Sequence, residues 1–127
     1  MEYTALIILL ALLQYLLFTA RVGLARGKFG VKAPATTGDP TWERIYRVQQ
    51  NTMEQLVIFV PAAIAFSTYV SGRWVLLPGL LFLAGRQLYS WEYVKDPDSR
   101  TPGMAISLLS NAALVIGALV GLLLDMM

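Results

Sequence analysis

Arg47, Asn51 and Glu54 stand at helical spacing, and their guanidinium, amide and carboxylate groups could act on one ligand. At 100° per residue, positions i, i+4 and i+7 fall within about 60° of one another on a helix face. A cation, an amide and a carboxylate would therefore project together where the chain enters the apolar segment 56–66. Charged groups at the bilayer centre cost roughly 2.5–3.5 kcal/mol each, so they usually mark a polar site. The alternative is a structural ion pair of Arg47 and Glu54 that only holds the helices together.

A second polar group follows another apolar segment. Arg86, Tyr89 and Tyr93 stand at i, i+3 and i+7, so they share one helix face, and Arg100 follows a short connection. If the helix that carries Arg86 and the helix that carries Glu54 are antiparallel neighbours, these donors lie at the same depth in the membrane as Glu54. Glu54 is then the main hydrogen-bond acceptor among them. Guanidinium, amide and phenol groups around one carboxylate suit a small zwitterionic or multiply anionic ligand.

The residue types also narrow the possible chemistry. The chain of 127 residues has no cysteine and no histidine, which removes thiolate metal ligands, cysteine nucleophiles and histidine bases. Apart from Glu92, Glu54 is the only carboxylate near this group, so we expect no metal site. No phosphate loop or dinucleotide motif is present. Anionic lipid headgroups explain the basic residues better than nucleic acid does, so no nucleic-acid partner is expected.

Composition indicates that these polar groups belong to a membrane protein. Hydrophobic residues make up 57% of the chain and charged residues 14%, whereas about a quarter of the residues in soluble domains are charged. Four segments, about 3–25, 40–69, 74–94 and 104–124, approach or exceed the length of about 20 residues that crosses a bilayer. The sequence therefore predicts one all-α domain over residues 1–127, an integral membrane four-transmembrane-helix bundle.

Local signals define parts of these helices. Asp39 followed by Pro40 predicts a helix start, with Asp39 as the N-cap. Pro61 lies within the same helix and predicts a kink. Gly117 and Gly121 form a G-x-x-x-G arrangement that permits close helix packing, either within this protomer or against another one.

The distribution of basic residues predicts the orientation in the membrane. Of the ten Lys and Arg residues, all except Arg73 lie in the first and third connections or near the helix ends that meet them. The positive-inside rule then puts both long connections in the cytoplasm and both termini outside. We expect a multi-pass protein, with the bacterial inner membrane as the favoured location.

The residues around the first polar group resemble a known family. The run Thr36-Thr-Gly38, then Glu43-Arg-Ile-Tyr-Arg47-Val-Gln49-Gln-Asn51-Thr-Met-Glu54, is similar to the signature of the membrane-associated proteins in eicosanoid and glutathione metabolism, the MAPEG family. Arg86, Tyr89, Tyr93 and Arg100 have the spacing seen in its microsomal glutathione transferase and leukotriene synthase branches. The resemblance covers nearly the whole chain.

The resemblance implies a homotrimer that binds glutathione between adjacent protomers and uses it as a cosubstrate. Arg100 would lower the pKa of the glutathione thiol, so that the thiolate attacks a lipophilic electrophile or hydroperoxide from the membrane lipids. The residues implied to hold the tripeptide are Arg26, Arg47, Gln49, Asn51, Glu54, Tyr89 and Tyr93. The expected activity is therefore that of a glutathione transferase or peroxidase.

Two departures from the family pattern bear on the substrate. Gln55 stands where the leukotriene synthase-like members have a tyrosine, and Gly27 stands where they have a second arginine. Both favour a simpler conjugating or peroxidase activity. Asp96 or Asp98 could also pair with Arg100 and weaken its effect. The alternative functions are a non-catalytic relative that binds lipid and presents it to a partner, and a bundle whose polar face is structural or takes another anion or thiol.

Overall fold

A computed structural model describes residues 1–127 as an all-helical chain. Its four long helices are α1 (Glu2–Phe29), α2 (Pro40–Tyr69), α3 (Leu76–Lys95) and α4 (Thr101–Met126), with a 3-10 turn at Pro97–Ser99. The sequence placed α2 at the same bounds, whereas α1, α3 and α4 each end one to four residues beyond the predicted segment. The α1–α2 and α3–α4 connections lie at the same end of the bundle, called here the loop end, where Arg44 of α2 bonds to the Val94 carbonyl of α3.

The helix ends at this loop end follow from local chemistry. The Asp39 carboxylate accepts hydrogen bonds from the backbone N–H groups of Thr41 and Trp42, at 2.9 and 3.0 Å, so it is the predicted N-cap of α2. Helix α1 ends at Phe29, and the next residue, Gly30, caps it in the left-handed conformation with φ of 70°. Glycine takes this conformation without the steric cost that a Cβ imposes.

Three helical segments are long and apolar enough to cross a membrane, namely Glu2–Phe29, Pro40–Tyr69 and Pro97–Met126. The chain is thus an integral membrane protein built as a four-helix bundle. Helix α3 is less apolar because its second half carries Arg86, Gln87 and Glu92. Exposing the Arg86 charge to lipid would be costly, but the bundle encloses this side chain, which is 0% exposed.

Close helix contacts position the fourth helix. A Cβ on Gly117 would lie 2.8 Å from the Phe66 ring, and one on Gly121 would lie 2.5 Å from the Tyr69 carbonyl oxygen. The G-x-x-x-G arrangement therefore packs α4 against α2 within the protomer, which answers the question the sequence left open. The apolar core lies between the helices, with the Phe59 and Phe82 rings stacked 4.2 Å apart.

Candidate functional site

Arg86 lies at the centre of a polar network inside the bundle. Its Nη1 donates to the Asn51 Oδ1 at 2.5 Å, and its Nε donates to the Ser107 hydroxyl at 2.9 Å. A longer contact of 3.4 Å reaches the Thr52 hydroxyl. Arg86 thus links α3 to α2 and α4. Its buried position gives it a structural role within the protomer, which the sequence could not distinguish from a ligand contact.

Two tyrosines of α3 form a stack beside this network. The Tyr89 and Tyr93 rings are 5.1 Å apart and nearly parallel, with an interplanar angle of 5°. The Arg86 guanidinium carbon lies 4.7 Å from the centre of the Tyr89 ring, on its face. Tyr89 is 3% exposed, so its ring is part of the core, whereas Tyr93 is half-buried.

The first turn of α4 packs directly against Tyr89. A Cβ on Gly103 would lie 2.5 Å from the Tyr89 backbone nitrogen, so only glycine permits the observed approach of the two helices. The close contact brings the preceding turn, with Arg100, next to the tyrosine stack.

Arg100 is exposed and stands at the N-terminal end of α4. It lines a cavity of ≈ 310 Å³, together with Gln55, Arg86, Thr101, Met104, Ala105 and Leu108. The Asp96 carboxylate accepts from the Asp98 backbone N–H at 3.1 Å and from the Ser99 hydroxyl at 3.5 Å, so it stabilises the 3-10 turn. Arg100 forms no ion pair with Asp96 or Asp98, so neither pairing that the sequence suggested occurs.

Arg47 and Glu54 lie in a separate polar groove. It has a volume of ≈ 350 Å³ and is lined by Thr36, Thr37, Glu43, Tyr46, Arg47, Gln50 and Glu54. Both Arg47 and Glu54 are exposed, and they form no ion pair with each other. The Asn51 carboxamide oxygen is instead held by Arg86, which leaves its NH₂ group as the free donor. Arg47, Asn51 and Glu54 share a helix face as predicted, but Asn51 lies at the edge of that face that contacts α3.

Arg26 and Gln49 lie on a different side of the protomer. Arg26 donates to the Ala35 carbonyl at 2.8 Å, and its guanidinium carbon lies 4.5 Å from the centre of the Trp42 ring. Gln49 donates to the Tyr15 hydroxyl of α1 at 3.0 Å. One protomer thus places Arg47 and Glu54 in one groove and Arg100 in a second cavity next to Tyr89, and it holds Arg26 and Gln49 against the first connection and α1.

The residues that sequence reasoning missed are those that support the site rather than line it. Ser107 receives the Arg86 bond and itself donates to the Gly103 carbonyl at 2.9 Å. Gly103, directly after Pro102, lies outside the predicted segment 104–124, but in the structure it belongs to α4 and packs against the backbone of Tyr89 in α3. No local pattern distinguishes such a glycine from one in a turn.

The family assignment rests on nearly the whole chain. A model of the MAPEG family matches residues 4–120, a range that contains most of each helix and every residue of the candidate site. The chain belongs to the MAPEG family. This confirms the resemblance that the two polar groups indicated.

Individual relatives of this MAPEG protein are similar over most of their lengths. An uncharacterized protein of Synechocystis is 43% identical over 121 residues, which are 95% of this chain and 88% of the relative. Human microsomal glutathione S-transferase 2 is 37% identical over 87% of this chain and 76% of its own length. Guinea pig leukotriene C4 synthase is 32% identical over 94% of this chain and 79% of its own length.

The donor set of this MAPEG protein has more positive and neutral donors than carboxylates. Its cations and phenols outnumber its carboxylates, and no group of three or more metal-ligating side chains is assembled. Such a set can bind carboxylates through guanidinium groups and an ammonium group through Glu54.

Proposed function

We propose that this MAPEG protein binds glutathione and activates its thiol for attack on a lipophilic electrophile or hydroperoxide from the bilayer. Two of its relatives carry the names microsomal glutathione S-transferase 2 and leukotriene C4 synthase. The observation that carries the proposal is Arg100, a cation without a carboxylate partner, which lines a cavity beside the tyrosine stack.

Different polar side chains bind different parts of the glutathione tripeptide. Arg47 binds a carboxylate of glutathione, and Glu54 of the same groove binds its ammonium group. The free NH₂ of Asn51 and the phenols of Tyr89 and Tyr93 bond to the peptide groups. Because the Asn51 oxygen is already held by Arg86, the amide presents its donor to the ligand in a fixed orientation.

Arg100 acts on the sulfur. A fixed cation within about 4–6 Å stabilises a thiolate and lowers the pKa of the thiol by one to several units. The N-terminus of α4 at the same place contributes partial positive charge. The thiol proton leaves to solvent, the thiolate sulfur forms a bond to the electrophilic carbon, and the leaving group departs with its electron pair. With a hydroperoxide, the thiolate attacks the terminal oxygen, the O–O bond breaks, the sulfur becomes a sulfenic acid and the released alkoxide takes up a proton to give the alcohol. A second glutathione thiol then displaces the hydroxyl group as water and forms glutathione disulfide.

A homotrimer would complete the site. Arg26 and Gln49 bond to Ala35 and to Tyr15 of α1, and neither lines the cavity of Arg100 or the groove of Arg47 and Glu54. In a trimer they would come from the adjacent protomer and close the glutathione site at the interface. The charge distribution supports an orientation with both long connections in the cytoplasm, and the Synechocystis relative supports a bacterial membrane.

The acceptor is better described as a simple electrophile or peroxide than as a leukotriene precursor. Gln55, at the cavity of Arg100, is fixed by Asn111, whose Nδ2 donates to the Gln55 Oε1 at 3.0 Å. The amide replaces the phenol expected of a leukotriene synthase. The second candidate, a lipid-presenting protein without catalysis, is disfavoured by the availability of Arg100.

The test is ultraviolet difference absorbance of the detergent-purified protein titrated with glutathione at neutral pH. We expect a saturable thiolate band, lost in Arg100→Gln while glutathione binding by equilibrium dialysis persists. Arg73→Gln, which removes a cation at the opposite end of the bundle, should keep the band. Absence of glutathione binding at millimolar concentration would refute the proposal and favour the lipid-presenting alternative.

A further inference from the structure

A groove on the outside of the bundle, separate from the glutathione residues, combines an apolar wall with basic side chains. It has a volume of ≈ 560 Å³ and lies at the loop end between α1, α2 and α3. Its lining is mostly apolar, with Leu17, Ala20, Leu24 and Ile45 among the residues, and contains Arg21 and Lys28 but no carboxylate. Leu24 is 80% exposed, so the groove opens outward along the surface of α1.

The charge of Arg21 is only partly compensated by the protein. The side chain is half-buried, and its one hydrogen bond runs from Nη1 to the Ser90 hydroxyl of α3 at 2.7 Å. A serine hydroxyl is neutral, and a guanidinium has five N–H donors. An arginine within a membrane helix is costly unless an anion or water meets the remaining donors. The groove therefore contains a fixed cation with free donor capacity.

Lys28 extends the same basic strip toward the end of the helix. It follows Arg21 at i+7, so both residues lie on one face of α1 with about 10 Å between them along the axis. At the opposite wall, Arg44 bonds to the Val94 carbonyl at 3.0 Å and to the Thr41 hydroxyl at 3.4 Å. Val94 and Thr41 both line the groove, so a third cation stands at its edge.

We propose that this groove binds one anionic phospholipid from the adjacent leaflet. The phosphate lies between Arg21 and Lys28, and one acyl chain follows Leu17, Ala20 and Leu24 along α1. Basic pockets between membrane helices at the bilayer surface have the charge and depth that anionic headgroups require. The apolar wall continues from the cations toward the membrane centre, as the acyl chain of a lipid continues from its headgroup.

The groove and the proposed glutathione site use different faces of α1. Arg21 and Arg26 are five positions apart, which separates their directions by about 140° around the helix. Arg26 contacts Ala35 and Trp42, whereas Arg21 contacts Ser90 of α3. Lipid binding therefore does not depend on glutathione, and either proposal can fail without the other.

The experiment is native mass spectrometry of the full-length protein in detergent, titrated with phosphatidylglycerol or phosphatidylcholine of matched acyl chains. A favourable contact with one cation near the surface is worth about fivefold in affinity. Phosphatidylcholine carries the same phosphate, but its choline cation makes the headgroup neutral overall and offsets the attraction to Arg21 and Lys28. With two cations we therefore expect one tightly bound phosphatidylglycerol per protomer, preferred about 25-fold over phosphatidylcholine. The preference should weaken as the ionic strength rises.

Variants locate the bound lipid. Arg21→Gln and Lys28→Gln should each reduce the preference about fivefold, and Lys28 is exposed, so its replacement keeps the fold. Arg73→Gln, the matched loss of charge at the other end, should leave the preference unchanged. Equal binding of the two lipids, an unchanged preference in Lys28→Gln, or binding of oleate in place of phosphatidylglycerol would each overturn the proposal.

Discussion

Arg86 of α3 donates a hydrogen bond of 2.5 Å to the Asn51 carboxamide oxygen of α2. This bond joins a fully buried cation to a residue at the edge of the candidate site, so it connects the stability of the bundle with the orientation of a ligand donor. The Asn51 oxygen is used inside the protomer, and the Asn51 nitrogen is left for glutathione. A residue that touches no ligand in our proposal thereby fixes one that does.

Replacing Arg86 by Met should lower the free energy of unfolding by about 2–3 kcal/mol, because Asn51 would keep a polar oxygen without its donor. Thermal or denaturant unfolding in detergent without glutathione measures this change. In a double-mutant cycle with Asn51→Leu, we expect a coupling energy of about 1–2 kcal/mol. A coupling near zero would contradict the structural role of the bond, and Arg73→Met serves as the control at the other end of the bundle.

Gly103→Ala should impair thiol activation. The added Cβ would lie 2.5 Å from the Tyr89 backbone nitrogen, so the first turn of α4 must move away from α3. Overpacking of this kind costs about 1–3 kcal/mol of stability. Since Arg100 moves with this turn, we expect the pKa of the thiol of bound glutathione to rise. Turnover should fall by about tenfold or more.

The matched control for this variant is Gly23→Ala in α1, where the added Cβ meets nothing within 4 Å. It should keep the thiolate band and the turnover of the original protein. If Gly103→Ala behaved in the same way, the close contact with Tyr89 would not be what positions Arg100.

Arg47→Gln and Glu54→Gln should separate binding from folding. Both side chains are exposed and make no ion pair with each other, so the unfolding midpoint without ligand should not change. The affinity for glutathione, measured by calorimetry, should fall about tenfold or more in each variant, because a charge-assisted bond is lost. Lys32→Gln removes an exposed charge outside this groove and should leave the affinity unchanged. Loss of stability without glutathione would instead support a structural role.

Asp39→Ala should weaken the start of α2. The Asp39 carboxylate accepts from two backbone N–H groups, and removal of an N-cap costs about 1 kcal/mol of stability. Asp39→Ser should recover most of the loss, since a serine hydroxyl can cap the same groups. Thermal unfolding tests both variants, with Asp125→Ala in the exposed last turn of α4 as the control. Equal midpoints for all three would show that the cap contributes nothing.

Much of the architecture could be read from the sequence because the relevant forces act locally. Apolar length sets how many segments cross a bilayer, and Asp39 with Pro40 sets where α2 begins, whatever the rest of the chain does. The motif around Arg47 and Glu54 was sufficient to indicate the family. The shared faces were also predicted correctly, because the angle between side chains on one helix depends only on their spacing.

The tertiary structure decided which neighbour each polar group meets. Helical spacing put Asn51 beside Glu54, but the position of α3 directs its oxygen to Arg86. Likewise, Gly103 became informative only when its distance to Tyr89 was known, and Gly121 only when α4 was placed against Tyr69. Contacts between helices depend on how two surfaces fit, and such a fit involves residues far apart in the chain. The sequence alone therefore determined the helices and the types of functional groups, whereas packing determined which of those groups remain free for a ligand.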